Sequence, residues 1–191
     1  MNKAVFFDRD GTLNLDPGYL GDPNKVSLYE YVPEVLYKLK FEYNFKLFIV
    51  SNQSGIARGL IKESDVIAVN NRINEILNAN DVTIDAFFYC PYHPDFSPPE
   101  LCTCRKPSPE MVLKAAAEYN IDLKGSFFVG DKSSDILCGK SAGTKTVLVD
   151  YNSDENEIKT LKKVGISPNF VAGNFLDIDT YISGVLQEDN F

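Results

Sequence analysis

Two carboxylates one residue apart, Asp8 and Asp10, follow the apolar run Ala4-Val5-Phe6-Phe7 and lead into Gly11 and Thr12. Acids this close repel each other, and a hard cation such as Mg²⁺, which prefers oxygen ligands, relieves that repulsion. With the cation in place, one carboxylate can attack phosphorus while the other moves a proton. Two further polar loops complement this pair. Ser51-Asn52-Gln53-Ser54-Gly55 follows the apolar run Lys46–Val50, and Gly130-Asp131-Lys132-Ser133-Ser134-Asp135 follows Ser126–Val129. Phosphoryl transfer depends on positioning and on offsetting charge over three equatorial oxygens, needs that the hydroxyls and acids of these loops can serve.

These groups meet only if the intervening elements bring them together. The apolar runs read as strands buried on both faces: Ala4–Phe7, Lys46–Val50, Ala86–Tyr89, Ser126–Val129, Thr146–Val149 and a short Asn169–Ala172. Between them the spacing predicts helices over Pro33–Tyr43, Lys62–Asn78, Pro109–Tyr119, Ser134–Ala142 and Glu155–Lys163, with a last one around Tyr181–Gln187. Leu15–Leu28 carries two prolines and two glycines and reads as a loop. Strands alternating with helices predict an α/β fold: a Rossmann-like, doubly wound parallel sheet with helices on both faces. In such a sheet the strand ends that carry Asp8, Ser51 and Asp131 converge on one crevice. No insert is long enough for a large cap domain, so residues 1–191 are expected to form a single domain.

The string Asp8-Arg9-Asp10-Gly11-Thr12-Leu13-Asn14, with Ser51, Lys106 and Asp131 in order behind it, resembles the haloacid dehalogenase (HAD) superfamily of aspartate-nucleophile phosphotransferases. With Gly18-Tyr19 and Gln53-Ser54-Gly55-Ile56-Ala57-Arg58-Gly59 added, it is similar to the branch that holds heptose bisphosphate and histidinol phosphatases. The resemblance implies that Asp8 is the nucleophile and Asp10 the general acid, then base. It also implies that Asp8, the Asp10 carbonyl and Asp131 hold Mg²⁺ with Asp135 in support, that Ser51 binds the phosphoryl group, and that Lys106 neutralises it. Asn14, Asp16, Gly18, Tyr19, Asn52, Gln53, Ser54, Arg58 and Arg105 are the substrate-side candidates. Arg105 is favoured among them because guanidinium pairs bidentately with phosphate.

A second group of residues, Cys90, His93, Cys102 and Cys104, offers three thiols and the chain's single histidine within one irregular segment, Cys90–Pro109. Such donors favour Zn²⁺, and four of them close a tetrahedral structural site. A small zinc-binding loop at about 90–109, which would fix Arg105 and Lys106 beside it, is therefore expected. In the zinc-bearing relatives the histidine stands two residues after the first cysteine, where this chain has Tyr92. Cys138, on a helix, is expected to be a small buried residue.

The net charge of −8 excludes broad nucleic-acid binding, which needs a basic face. No run reaches the ~20 apolar residues of a membrane span, and Met1-Asn2-Lys3 is too short a lead for a signal peptide. A cytoplasmic monomer acting on a small sugar phosphate is the expectation. The resemblance implies hydrolysis of the C7 phosphate of a heptose 1,7-bisphosphate on the route to nucleotide-activated heptose. Histidinol phosphate hydrolysis and a non-catalytic phosphate-binding role are the alternatives.

Overall fold

Lys3–Phe7 forms the first strand, β1, and its side chains alternate between two apolar layers, so a charge is tolerated only where the strand ends. The computed structural model describes residues 1–153 and 155–188. Asp154 and residues 189–191, part of the expected 1–191 domain, lie outside the described residues. Beside β1 run β2 (Phe45–Asn52), β3 (Ala86–Cys90), β4 (Phe127–Gly130), β5 (Lys145–Val149) and β6 (Phe170–Ala172). All pairings are parallel, in the order β3-β2-β1-β4-β5-β6. The order reverses at β1, which places a crevice outside the carboxyl ends of β1 and β4.

Val5 and Phe7 pack with α1 (Val32–Tyr37), α2 (Glu63–Asn78) and α6 (Phe175–Glu188). Ala4 and Phe6 pack on the other face with α3 (Glu110–Tyr119) and α4 (Ser133–Ala142). Leu161 of α5 (Asn156–Lys163) joins Ile136 and Leu148 in a third, smaller cluster. The expected doubly wound α/β fold is therefore present.

Its boundaries differ from expectation in instructive places. β2 runs on through Ser51 and Asn52, because both stay registered with Tyr89 and Cys90 of β3. The helix expected over Pro33–Tyr43 is α1 continued by a π-helical turn, Lys38–Glu42. The last helix starts at Phe175 rather than near Tyr181, and Phe175, Ile178 and Ile182 bury one stripe of it. Pro99–Cys104 winds as a 3₁₀ helix inside the segment expected to be irregular. Among the described residues, no helix is long and apolar enough to cross a membrane.

Candidate active site

Asp8 is the first residue past β1, buried, with its amide donating to the Val129 carbonyl on β4. Lys106 reaches it from the loop after β3. The Lys106 amide donates to Asn52 Oδ1 at 3.0 Å and Asn52 Nδ2 donates back to the Lys106 carbonyl at 3.2 Å, so the end of β2 clasps that loop. Lys106 Nζ then donates to Asp8 Oδ1 at 2.7 Å and to the Val50 carbonyl at 2.8 Å. Asp135 Oδ1 lies 2.6 Å from the same nitrogen, yet without the alignment of a hydrogen bond. Burial alone would lower the Lys106 ammonium, but Asp135 and Asp8 outweigh it and raise it above the ordinary lysine value.

Asp131 arrives from the end of β4. Thr12 Oγ1 donates to Asp131 Oδ1 at 2.9 Å, and Tyr151 past β5 donates to the Thr12 carbonyl at 2.8 Å. A Cβ at Gly11, whose φ is +87°, would collide with the Asp131 carboxylate, so only glycine fits there. α4 begins just beyond Asp131, and its first amide, Ser133, donates to Glu157 of α5 at 2.6 Å.

Asp8, Asp131 and Asp135 each present an oxygen, and these oxygens all lie within 4.8 Å of one another. Burial, then Asp8 and Asp135, push the Asp131 carboxyl up to about 7; burial raises Asp135 as well, against the pull of Lys106. Three carboxylates crowded this closely, two of them raised by burial, match the all-oxygen donor set of a hard divalent cation. The residues present fit Mg²⁺.

Asp10 points into the same crevice, held by its neighbour. Arg9 donates from Nε and Nη2 to the Asp10 carboxylate, the shortest contact being 2.8 Å. Gln53 Nε2 donates to Asp10 Oδ2 at 2.9 Å and to Ser51 Oγ at 2.7 Å, so the second polar loop is tied to the first.

The open volume above these groups is about 300 Å³, lined by Asp8, Asp10, Ser51 and Lys106. Of the substrate-side candidates, Asp16, Gly18, Tyr19, Asn52, Gln53, Ser54 and Arg105 line it. Asn14 does not. It is fully buried, and its Oδ1 accepts the Ser27 amide at 2.7 Å, which fastens the Leu15–Leu28 loop. Arg58 also turns away: its guanidinium lies 4.6 Å over the Phe96 ring, with Nη2 3.0 Å from His93 Nε2. Lys132, Ser134 and Asp135 line the cavity too. Lys132 was missed as a site residue, although it follows Asp131 directly; its half-exposed ammonium sits 3.7 Å from Asp16 and 3.9 Å from Asp131. Asp131 itself lines an adjoining cavity of about 380 Å³ with Tyr29 and Tyr151.

A family model described as "HAD-hyrolase-like" matches residues 103–178. The D-glycero-D-manno-heptose-1,7-bisphosphate 7-phosphatase of Chlorobaculum tepidum is 38% identical, with 95% of each chain covered. The chain belongs to the HAD-like phosphatases. The D-glycero-beta-D-manno-heptose-1,7-bisphosphate 7-phosphatase of Pasteurella multocida is 39% identical, over 97% of this chain and 99% of that one. Among solved structures, the D,D-heptose 1,7-bisphosphate phosphatase of B. bronchiseptica, complexed with magnesium and phosphate, superposes with a TM-score of 0.80 at 29% identity. That match covers 97% of this chain and 99% of that one.

The zinc loop expected of this HAD-like phosphatase at about 90–109 is not formed as its residues stand. Cys90, His93, Cys102 and Cys104 do not gather around a common point. Cys90 and Cys104 are joined as a disulfide, and sulfur so bonded has no thiolate to offer a metal. Cys102 Sγ faces the Pro98 carbonyl, and His93 is engaged by Arg58 and Asp95. As placed, these residues do not fit zinc. Cys138 is buried as expected, and burial pushes its thiol up to about 12, which makes it inert.

Proposed function

We propose that the chain is a Mg²⁺-dependent phosphatase that removes the C7 phosphate of D-glycero-D-manno-heptose 1,7-bisphosphate through a phosphorylated Asp8. The observation that carries this reading is the Asp8–Lys106 contact of 2.7 Å inside a cluster with Asp131 and Asp135, at the β1/β4 crevice. Asp8 Oδ attacks phosphorus as the bond to the sugar oxygen breaks, and Asp10 gives that oxygen a proton. Asp10 then takes a proton from water as the water oxygen attacks phosphorus and Asp8 leaves. Lys106, the Ser51 hydroxyl and nearby amides offset the charge on the transferring oxygens. Asp8, Asp131 and the Asp10 carbonyl, with Asp135 beside them, would hold Mg²⁺, which would supply further neutralisation of that charge.

The similarity to heptose bisphosphate phosphatases over nearly the whole chain supports the substrate. So does the cavity: Arg105 and Lys132 stand at its wall, where a second phosphate needs cations, and Tyr19 and Ser54 offer contacts to the sugar. We also propose that residues 1–191 act as one domain and as a monomer in the cytoplasm. Purified protein given Mg²⁺ should release the C7 phosphate of the bisphosphate and leave histidinol phosphate nearly untouched. Asp8→Asn should abolish turnover with the fold intact. A preference for histidinol phosphate overturns the substrate, and turnover by Asp8→Asn overturns the nucleophile.

Zinc in the cysteine loop requires reduction first. Opening the Cys90–Cys104 bond returns two neighbouring thiols, as a reducing cytoplasm does. Metal analysis should then find about one zinc per chain in reduced protein and none in oxidised protein.

A further inference from the structure

The two oxygens of Asp10 are held differently. Oδ2 accepts from Arg9 Nη2 at 2.8 Å, from Arg9 Nε at 3.0 Å and from Gln53 Nε2 at 2.9 Å. Oδ1 accepts a single bond, from Arg9 Nε at 3.1 Å. A carboxylate oxygen with three donors on it has no lone pair left to bind a proton, whereas one with a single long contact has. Arg9 is 1% exposed, which is rare for a guanidinium, and a buried charge must have its donors met. Its remaining edge, Nη1, donates to Asn70 Oδ1 at 3.0 Å. Asn70 is a buried polar residue on α2, among Val66, Val69 and Ile73. It touches neither the cavity nor any reacting atom.

We propose that Arg9 and Asn70 are positioning residues: Asn70 locks the guanidinium, the guanidinium with Gln53 saturates Oδ2, and Oδ1 alone carries the proton to and from the reacting oxygens. The proposal rests on the reading of Asp10 as the proton donor and acceptor. In the first step the proton leaves Asp10 Oδ1 for the sugar oxygen as its bond to phosphorus breaks. In the second, Oδ1 takes a proton from the attacking water. Without the Asn70 anchor, Arg9 can turn and Asp10 can rotate with it, so that its proton no longer points at the leaving oxygen. Geometry of this kind, rather than net charge, decides whether a general acid is effective.

A leaving group that needs no proton separates this role from a merely structural one. p-Nitrophenolate departs unprotonated near neutral pH, whereas a sugar alkoxide does not. Because kcat/KM reports events up to departure of the leaving group, Asn70→Leu and Arg9→Lys should each lower kcat/KM for a sugar phosphate by about 100-fold. The same variants should leave kcat/KM for p-nitrophenyl phosphate within about threefold of wild type. Asn70→Asp, which keeps the acceptor, should retain both activities. Equal losses on the two substrates, with or without a lower melting temperature, overturn the proposal. Asp10→Asn serves as the reference. If it is selective for the sugar phosphate and Asn70→Leu is not, positioning fails while the acid assignment stands. If Asp10→Asn itself loses both activities equally, the acid assignment fails and takes the proposal with it.

Discussion

Lys106 is a buried cation whose presence makes two buried carboxylates tolerable. Its ammonium lies 2.7 Å from Asp8 and 2.6 Å from Asp135, and all three side chains are almost wholly shielded from water. Removing one partner from such a set leaves uncompensated charge, which costs roughly 3–5 kcal/mol. Lys106→Met should therefore lower the stability of metal-free protein by about that amount in a denaturant titration. It should also lower turnover by about 1,000-fold, since a charge-stabilising donor at the transferring group is lost. Loss of activity with unchanged stability would show that the ammonium is not needed by the resting fold. At this scale the sequence was informative wherever residue type and strand-end position coincided: Asp8, Asp10, Ser51 and Asp131 sit where their spacing placed them. It was silent about direction. Asn14 and Arg58 have the right chemistry but face a loop backbone and an aromatic ring instead. Asn70 did leave a signal, as a polar residue at core spacing beside Val66, Val69 and Ile73, but apolar periodicity alone reads it as an interruption.

At the scale of elements, strand ends deliver the chemistry and the turns after them set its geometry. The turn after β1 must pass Asp131 with no side chain in between, and Gly11 at φ +87° does so. Gly11→Ala adds both a strained backbone and a methyl group against the carboxylate. The variant should bind Mg²⁺ at least tenfold more weakly by calorimetry, whereas Gly18→Ala, equally strained at φ +75° but with its added Cβ in open space, should not. Equal affinities in the two variants would mean that the turn yields without cost to the acid cluster. Strands and helices were readable because a sheet buried on both faces imposes unbroken apolar runs, and helices packed on it impose a 3.6-residue stripe. The ends were less readable. Ser51 and Asn52 look like loop by composition and belong to β2 through pairing with β3, which only the tertiary structure supplies. The Cys90–Cys104 closure was missed for a related reason: four soft donors close in sequence suggest a common metal, and nothing in their spacing says which two sulfurs will meet.

For the molecule as a whole, the chain carries a net charge of −8 and nonetheless gathers three carboxylates at the centre of its sheet. That arrangement ties stability to pH and to the cation. Asp131 is raised from 3.8 to about 7 in the folded protein, so the folded state binds its proton more tightly than the unfolded state does. Its contribution to stability is therefore full at acid pH and is lost as pH rises through about 7. Mg²⁺ held by Asp131 would reverse this by favouring the ionised form. The rise in melting temperature on adding Mg²⁺, relative to protein in chelator, should be small at pH 5 and large at pH 8. A rise independent of pH would remove Asp131 from the cation's ligands. The outer half of the sheet, β4-β5-β6, takes part as well. Tyr151 and Glu157 supply no reacting group, yet one steadies the Thr12 carbonyl and the other receives the first amide of α4. A chain cut after Val149 would keep every acid, the lysine and the serine, but lose both braces and the stripe of α6 that covers Val5 and Phe7. The stretch beyond the fifth strand thus acts as scaffolding for chemistry performed far upstream, and shortening it is expected to blunt catalysis without touching a single reactive atom.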